Sequence, residues 1–437
     1  MKSIFFTVLT GFMLCAHICT AQDTAAMQYI KNNAVKIDTA MDNLRDLESL
    51  KSIFADQRII GMGEATHGTQ EFQLEKFRML KFLVTKMGFK LFGIEANFTE
   101  CRQVNDYVLY GTGDAKKAVA GMIFWTWNTA EVVKMVEWMR QYNSDKPDNE
   151  KVKFYGFDMQ FDGMAIQKIS EKLKRLDSAY FNSHFAALKD IHLYTKTGYV
   201  AYSKQKRDSV LALIGQTKIY CTGHEQELKK LYSAEEVEYN ERDLRLLEQC
   251  LDEDEASTTK KVSINEGVVR DKYMAENIEW ILRHEGDDSK MLVWAHNAHV
   301  SKTGQYFDSM GQHLKKMYGQ QYYVIGFDFN KGTFRARDIT PAAKMELKSF
   351  NVAGAENGST GQLFSTLNIP AFFVDMENPV KTNTVAKKFF TKKIRQRSAG
   401  AGFSTDHEKL FYIDVPLYDQ YDGLVFINET TATTPPN

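Results

Sequence analysis

A series of short, nearly uninterrupted apolar runs, each closing on a polar residue, limits most strongly how this chain can fold. Arg58–Gly63 runs into Glu64, Lys90–Ile94 into Glu95, Lys151–Phe157 into Asp158 and Met291–Ala295 into His296. Tyr322–Phe327 runs into Asp328, Ala371–Val374 into Asp375 and Gly423–Ile427 into Asn428. Strands with one wet face alternate apolar and polar residues, whereas continuous runs mark strands covered on both faces. Helical patterns separate the runs. Glu71–Lys86 places Phe72, Phe77, Leu80, Leu83 and Val84 on or near one stripe, and Gly88 follows as a stop. Ala130–Tyr142 and Arg270–His284 carry similar stripes. This alternation predicts an α/β fold, a mainly parallel sheet flanked by helices. Residues 165 to 285 interrupt it. They are rich in Lys, Glu, Asp and Gln, contain no proline, and predict a helical insertion forming part of the cleft.

Composition narrows the class of partner. Net charge is −1, so no concentrated basic surface points to a nucleic acid. Met1-Lys2, the apolar stretch Ile4–Ile18 and Cys19-Thr20-Ala21 read as an export signal cut near Ala21. The expectation is a periplasmic or secreted protein with a single domain over residues 22–437 and no stable membrane span. Cys101, Cys221 and Cys250 lie beyond that signal, scattered and odd in number, so a core rather than disulfides is expected to stabilise the fold. The polar tail Thr430–Asn437 ends in Pro-Pro-Asn and is expected to fray.

Two distant segments concentrate the acid–base residues. One is Gly63-Glu64-Ala65-Thr66-His67-Gly68 with Glu71-Phe72; the other is Trp294-Ala295-His296-Asn297-Ala298-His299. Both follow apolar runs, and open α/β sheets carry their chemistry at the carboxyl ends of strands. A carboxylate at Glu64 can fix the tautomer of His67 and raise its basicity; an imidazole with a pKa of about 6.5 is an available base at neutral pH. The same pair can instead cap the next helix. Glu71, Lys76 and Arg78 on that helix fit either polar substrate contacts or a salt-bridge stripe. Glu95 requires a partner, whether His67, His299 or a cation. His296 and His299 suit a metal, a base with an oxyanion donor, or two core histidines satisfied by the backbone. No HExxH, G-x-S-x-G or Walker motif is present.

At these residues the chain resembles the erythromycin esterase family. The resemblance is carried by Ile60–Gly68 with Glu71-Phe72, by Gly93-Ile94-Glu95, and by Phe124–Thr129 with Trp138-Met139-Arg140. Gly156-Phe157-Asp158, Arg270–Met274, Trp294–His299, Met310–Leu314 and Tyr421–Thr430 follow in the family's order. It implies a water-using hydrolase that can open a macrolide lactone without a required metal or other cofactor. His67 matches the family's essential histidine, the general base, and Glu64 its neighbouring acid. Glu95, His296 and His299 match further active-site residues. Lys76 stands where some members carry arginine, a role Arg78 would then supply.

The expected protein is therefore a carboxylic-ester hydrolase with a macrolide as first-choice substrate. His67 deprotonates water, Glu64 orients His67, Glu95 helps hold the site, and His296 or His299 stabilises the oxyanion. Glu71, Lys76, Arg78, Asn128 and Asp158 are assigned to polar groups of the substrate. Two rivals stand beside it. One is a metal-dependent hydrolase using Glu64, His67, Glu95, His296 and His299 as ligands. The other is a non-catalytic envelope binding protein on the same fold.

Overall fold

The apolar runs become the middle of one large sheet. The structure is a computed structural model. It describes residues 23–38, 43–190, 194–195, 198–199, 202–257, 262–304 and 307–436, so the expected signal Met1–Ala21 lies outside the described residues. The strands are β1 (Val35–Lys36), β2 (Ile59–Met62), β3 (Leu91–Asn97), β4 (Lys153–Asp158) and β5 (Met291–Trp294). They continue with β6 (Tyr322–Asp338), β7 (Leu347–Val352), β8 (Ala371–Asp375), β9 (Gly402–Phe403) and β10 (Gly423–Thr430). Their order is β1-β8-β10-β6-β2-β5-β3-β4, with β7 and β9 paired to the long β6. From β10 to β4 all neighbours are parallel. β1, β8 and β7 pair antiparallel.

Both faces of this sheet are covered, as the continuous runs require. Ile59, Val293, Val324 and Leu424 pack into one apolar cluster. Their chain neighbours Ile60, Leu292, Ile325 and Val425 pack into the other. Each buried aliphatic side chain of this kind contributes about 1.5–3 kcal/mol. The flanking helices include α1 (Gln70–Met87), α2 (Ala130–Asn143), α3 (Gly163–Leu176), α4 (Lys204–Gly223), α5 (Ala234–Ser257) and α6 (Val262–His284). Gly88 ends α1 in a left-handed conformation, φ 73°. The interval from α3 to α6 is largely helical, with one short two-stranded ribbon at Tyr194–Thr195 and Gly198–Tyr199.

Three boundaries differ from expectation, each for a physical reason. β3 continues past Ile94 through Glu95 and Asn97, because both polar side chains find buried partners. Glu95 meets Arg270 and a backbone amide, and Asn97 bonds the backbone of Gln160 and Phe161. β6 runs on to Asp338 because it leaves the core and pairs with β7 as a half-exposed hairpin. The tail is held, not frayed, from Thr431 to Thr434. Gln70 N donates to Thr431 O at 2.9 Å, Thr433 N to Gly68 O at 3.0 Å, and Ala130 N to Thr434 O at 2.8 Å. Its polar composition serves hydrogen bonding to the protein rather than to water.

Candidate active site

The residues that follow the carboxyl ends of β2 and β5, with the end of β3, meet in one place. Gly63 has no room for a side chain: a Cβ there would lie 2.1 Å from Asn297 Oδ1. That amide donates to Phe327 O and accepts from Phe327 N, while Asn297 N donates to Glu64 O. One asparagine thus ties the ends of β2 and β5 to the middle of β6. Glu64, fully buried, can then turn inward. His67 Nδ1 meets its Oε1 at 2.6 Å. Lys76 Nζ and Trp294 Nε1 donate to Oε2 at 2.9 and 2.8 Å. Burial would raise the Glu64 pKa, but Lys76 and His67 outweigh it and hold the group ionised. An ionised Glu64 accepts a hydrogen bond from the His67 Nδ1–H, which leaves the lone pair on Nε2. The Trp127 ring stands edge-on to His67, with centroids 5.6 Å apart, and its indole donates to Glu95 O.

A second set centres on Arg270 of α6. Its guanidinium holds both oxygens of Asp158, at 3.1 and 2.6 Å, and Glu95 Oε1 at 2.8 Å. His299 lies between carboxylates: Nδ1 is 2.9 Å from Asp271 Oδ2, and Nε2 is 3.3 Å from Glu95 Oε1. Burial works against protonating His299, but Asp271 and Glu95 prevail and raise its pKa. Burial likewise opposes ionisation of Glu95, yet His299, Arg270 and His67 hold it well below the usual carboxylate range. The arrangement keeps cations and anions alternating in a dry interior.

His296 has the opposite character to His67. Its backbone amide is fixed by Glu95 Oε2 at 2.9 Å, and its Nδ1 accepts from Ala298 N at 3.2 Å. The proton of the neutral ring therefore sits on Nε2, which is buried without a partner. Burial, with His67 and His299 nearby, pushes its pKa down to about 3. Its ring centroid is 5.3 Å from that of His67. Gly400 closes the other side. It adopts φ 57°, and its Cβ position is empty, 3.9 Å from His296 Nε2. Ala399 N donates to Ala65 O, and His67 N to Gly400 O, so this turn is laid along the Glu64–Gly68 loop.

The structure brings Glu64, His67, Glu95, His296 and His299 together. The residues assigned to substrate fare differently. Lys76 is fully buried and reaches Glu64, within reach of the Trp294 and Phe327 rings at 4.7 and 4.6 Å. Arg78 is held by Asp46 and Glu75 and cannot replace it. Glu71 binds the tail at Thr431, and Asp158 is consumed by Arg270. Asn128 keeps a buried Oδ1 without a partner. Lys76, Arg78 and Asp158 share a cause: buried charges collect opposite charges before they collect substrate. Arg270 and Asp271 had no assigned role in the sequence reading, because they lie inside a helix rather than at a strand end. Charge balance could have found them, since Glu95 and Asp158 both close apolar runs and both require a cation.

Metal ligation finds little to use. Glu64, Glu95 and His299 are engaged by Lys76, Arg270 and Asp271. Among the described residues, no group of three or more His, Cys, Asp and Glu side chains is placed to hold a metal ion.

The erythromycin esterase family model matches residues 84–430. The chain belongs to the erythromycin esterase family. The matched span includes Glu95, Asp158, Arg270, His296 and His299, while Glu64 and His67 precede it. Membership places the chain among hydrolases. It is 24% identical to erythromycin esterase type II of Escherichia coli over 80% of this chain and 88% of the relative. It is 23% identical to the putative hydrolase YbfO of Bacillus subtilis (strain 168) over 93% and 91%. Among solved structures, a Bacillus cereus protein superposes with TM-score 0.80 at 23% identity, covering 95% of this chain and 99% of that one. A histidine-to-asparagine variant of the erythromycin esterase EreC, in its open conformation, gives TM-score 0.66 at 17% identity, covering 92% and 98%. These structural likenesses concern the fold. No described helix is long and apolar enough to cross a membrane.

Proposed function

We propose that this family member is a carboxylic-ester hydrolase in which His67 is the general base, with a macrolide lactone as first-choice substrate. The observation that carries the reading is the pairing of two imidazoles of opposite polarity. His67 offers a lone pair at Nε2, and His296 offers an N–H from its own Nε2. Water bound at His67 attacks the ester carbonyl carbon as its proton passes to Nε2. The tetrahedral oxyanion receives the His296 N–H. Collapse breaks the bond to the alcohol oxygen, and His67 returns the proton to that leaving alkoxide. The products are a carboxylic acid and an alcohol, joined in one molecule when the substrate is a lactone.

Magnitudes support this division of labour. A positioned general base contributes about 10²–10⁴-fold, and one oxyanion donor about 10²–10³-fold. The macrolide assignment draws on the named relatives, since fold alone does not select a substrate. The test is turnover of erythromycin and a panel of simple esters by the wild type and His67→Ala. A folded His67→Ala protein that keeps wild-type turnover rejects the reading.

A further inference from the structure

The N-terminus of α1 carries a capping defect. Thr69 occupies the capping position without a side-chain cap, although the first turn of a helix leaves backbone N–H groups unpaired. The C-terminal segment supplies the missing partner. Gln70 N donates to Thr431 O at 2.9 Å, and Thr69 and Ala432 form an antiparallel bridge. Glu71 in the first turn receives Thr431 N at 2.8 Å and the Thr431 hydroxyl at 2.7 Å. Glu131 receives Thr434 N at 3.2 Å and Gln70 Nε2 at 2.7 Å. The contact that matters most is on Gly68, the residue after His67. Its carbonyl accepts Thr433 N and Arg335 N, each at 3.0 Å. A Cβ on Gly68 would lie 2.0 Å from Arg335 O, so this backbone is held between β6 and the tail.

We propose that Thr431–Thr434 is a positioning strap for the catalytic base. This rests on the reading of His67 as that base. Through Gly68 and Gln70 the strap fixes the backbone immediately after His67, while Gly400 fixes His67 N from the other side. The strap touches neither reacting atom. Its effect is on the geometry of Nε2, where a misplacement on the order of 1 Å costs about 10²-fold in rate. It is therefore expected to act on kcat and to leave KM unchanged.

The experiment compares the full chain with a truncation ending at Thr430 and with Glu71→Gln, which weakens the acceptor for Thr431 and leaves the chain complete. Glu429→Gln is the control, because that side chain pairs with Lys331 and not with the His67 loop. Turnover is read on erythromycin and on p-nitrophenyl butyrate. Hydrogen exchange is read on peptides covering residues 64–72 and, for reference, 91–97. The truncation is expected to lower kcat about 10²-fold with KM unchanged, and to speed exchange in 64–72 but not in 91–97. Glu71→Gln should move both readouts in the same direction by less, and Glu429→Gln should move neither. Unchanged kcat, or unchanged exchange in 64–72, would overturn the proposal. Exchange needs no turnover, so it separates failure of the strap from failure of the hydrolase reading.

Discussion

His67 and His296 lie with ring centroids 5.3 Å apart and have opposite hydrogen-bonding character at Nε2. Glu64 fixes one tautomer, and the Ala298 amide fixes the other. If His296 donates to the oxyanion, His296→Phe keeps the ring volume and removes the N–H. The expected loss in kcat is about 10²–10³-fold, with KM little changed. Steady-state kinetics on the preferred ester decides it, and a variant within a few-fold of wild type would assign the donor elsewhere.

Glu64 has two duties that a double variant can separate. Glu64→Gln should lower kcat by about 10²–10⁴-fold through loss of tautomer control. It should also cost about 3–5 kcal/mol of stability, because fully buried Lys76 loses its counter-charge. Adding Lys76→Met should restore most of the stability and none of the activity. Denaturant unfolding and kcat, measured on both variants, would contradict this if stability and activity recovered together.

Gly63 is required by contact rather than by backbone conformation. A Cβ would meet Asn297 Oδ1 at 2.1 Å and displace the amide that holds the Phe327 backbone of β6. Gly63→Ala is expected to cost about 1–3 kcal/mol, as overpacking does. Activity should fall further than global stability explains, since Asn297 N also holds Glu64 O. Paired Tm and kcat measurements test this.

Asp328 supplies a pH signature away from His67 and His296. It is buried, with Oδ1 on Phe329 N at 2.8 Å and Oδ2 without a partner. Burial, only partly offset by Arg397, pushes its pKa up to about 7. The folded state therefore holds a proton that the unfolded chain releases at about pH 4. This group's contribution is present in full below that pH and is lost as pH rises towards about 7. Asp328→Asn should flatten the stability profile over this window and exceed wild type at alkaline pH by up to about 4 kcal/mol. Parallel profiles for the two proteins would refute the assignment.

The central sheet was legible because continuous apolar runs have few other meanings. The strand ends named Glu64, Glu95, His296 and His299, and one short loop step beyond β2 gave His67. Arg270 and Asp271 were not legible as site residues, because a helix brings them in from far along the chain. Nor does local sequence show that Arg78 faces Asp46 and Glu75, or that Glu71 binds Thr431. The tail read as disordered because polar composition does not distinguish bonding to water from bonding to Gly68 and Gln70. Periodicity reports burial, whereas pairing between distant charges is a property of the assembled fold.

The most direct measurement is mass spectrometry of erythromycin incubated in heavy-oxygen water with wild type and His67→Ala. The account predicts that wild type adds one water, with the heavy oxygen in the new carboxylate, and that His67→Ala leaves the lactone closed. An intact lactone after incubation with wild type, or ring opening by His67→Ala at the wild-type rate, would contradict it.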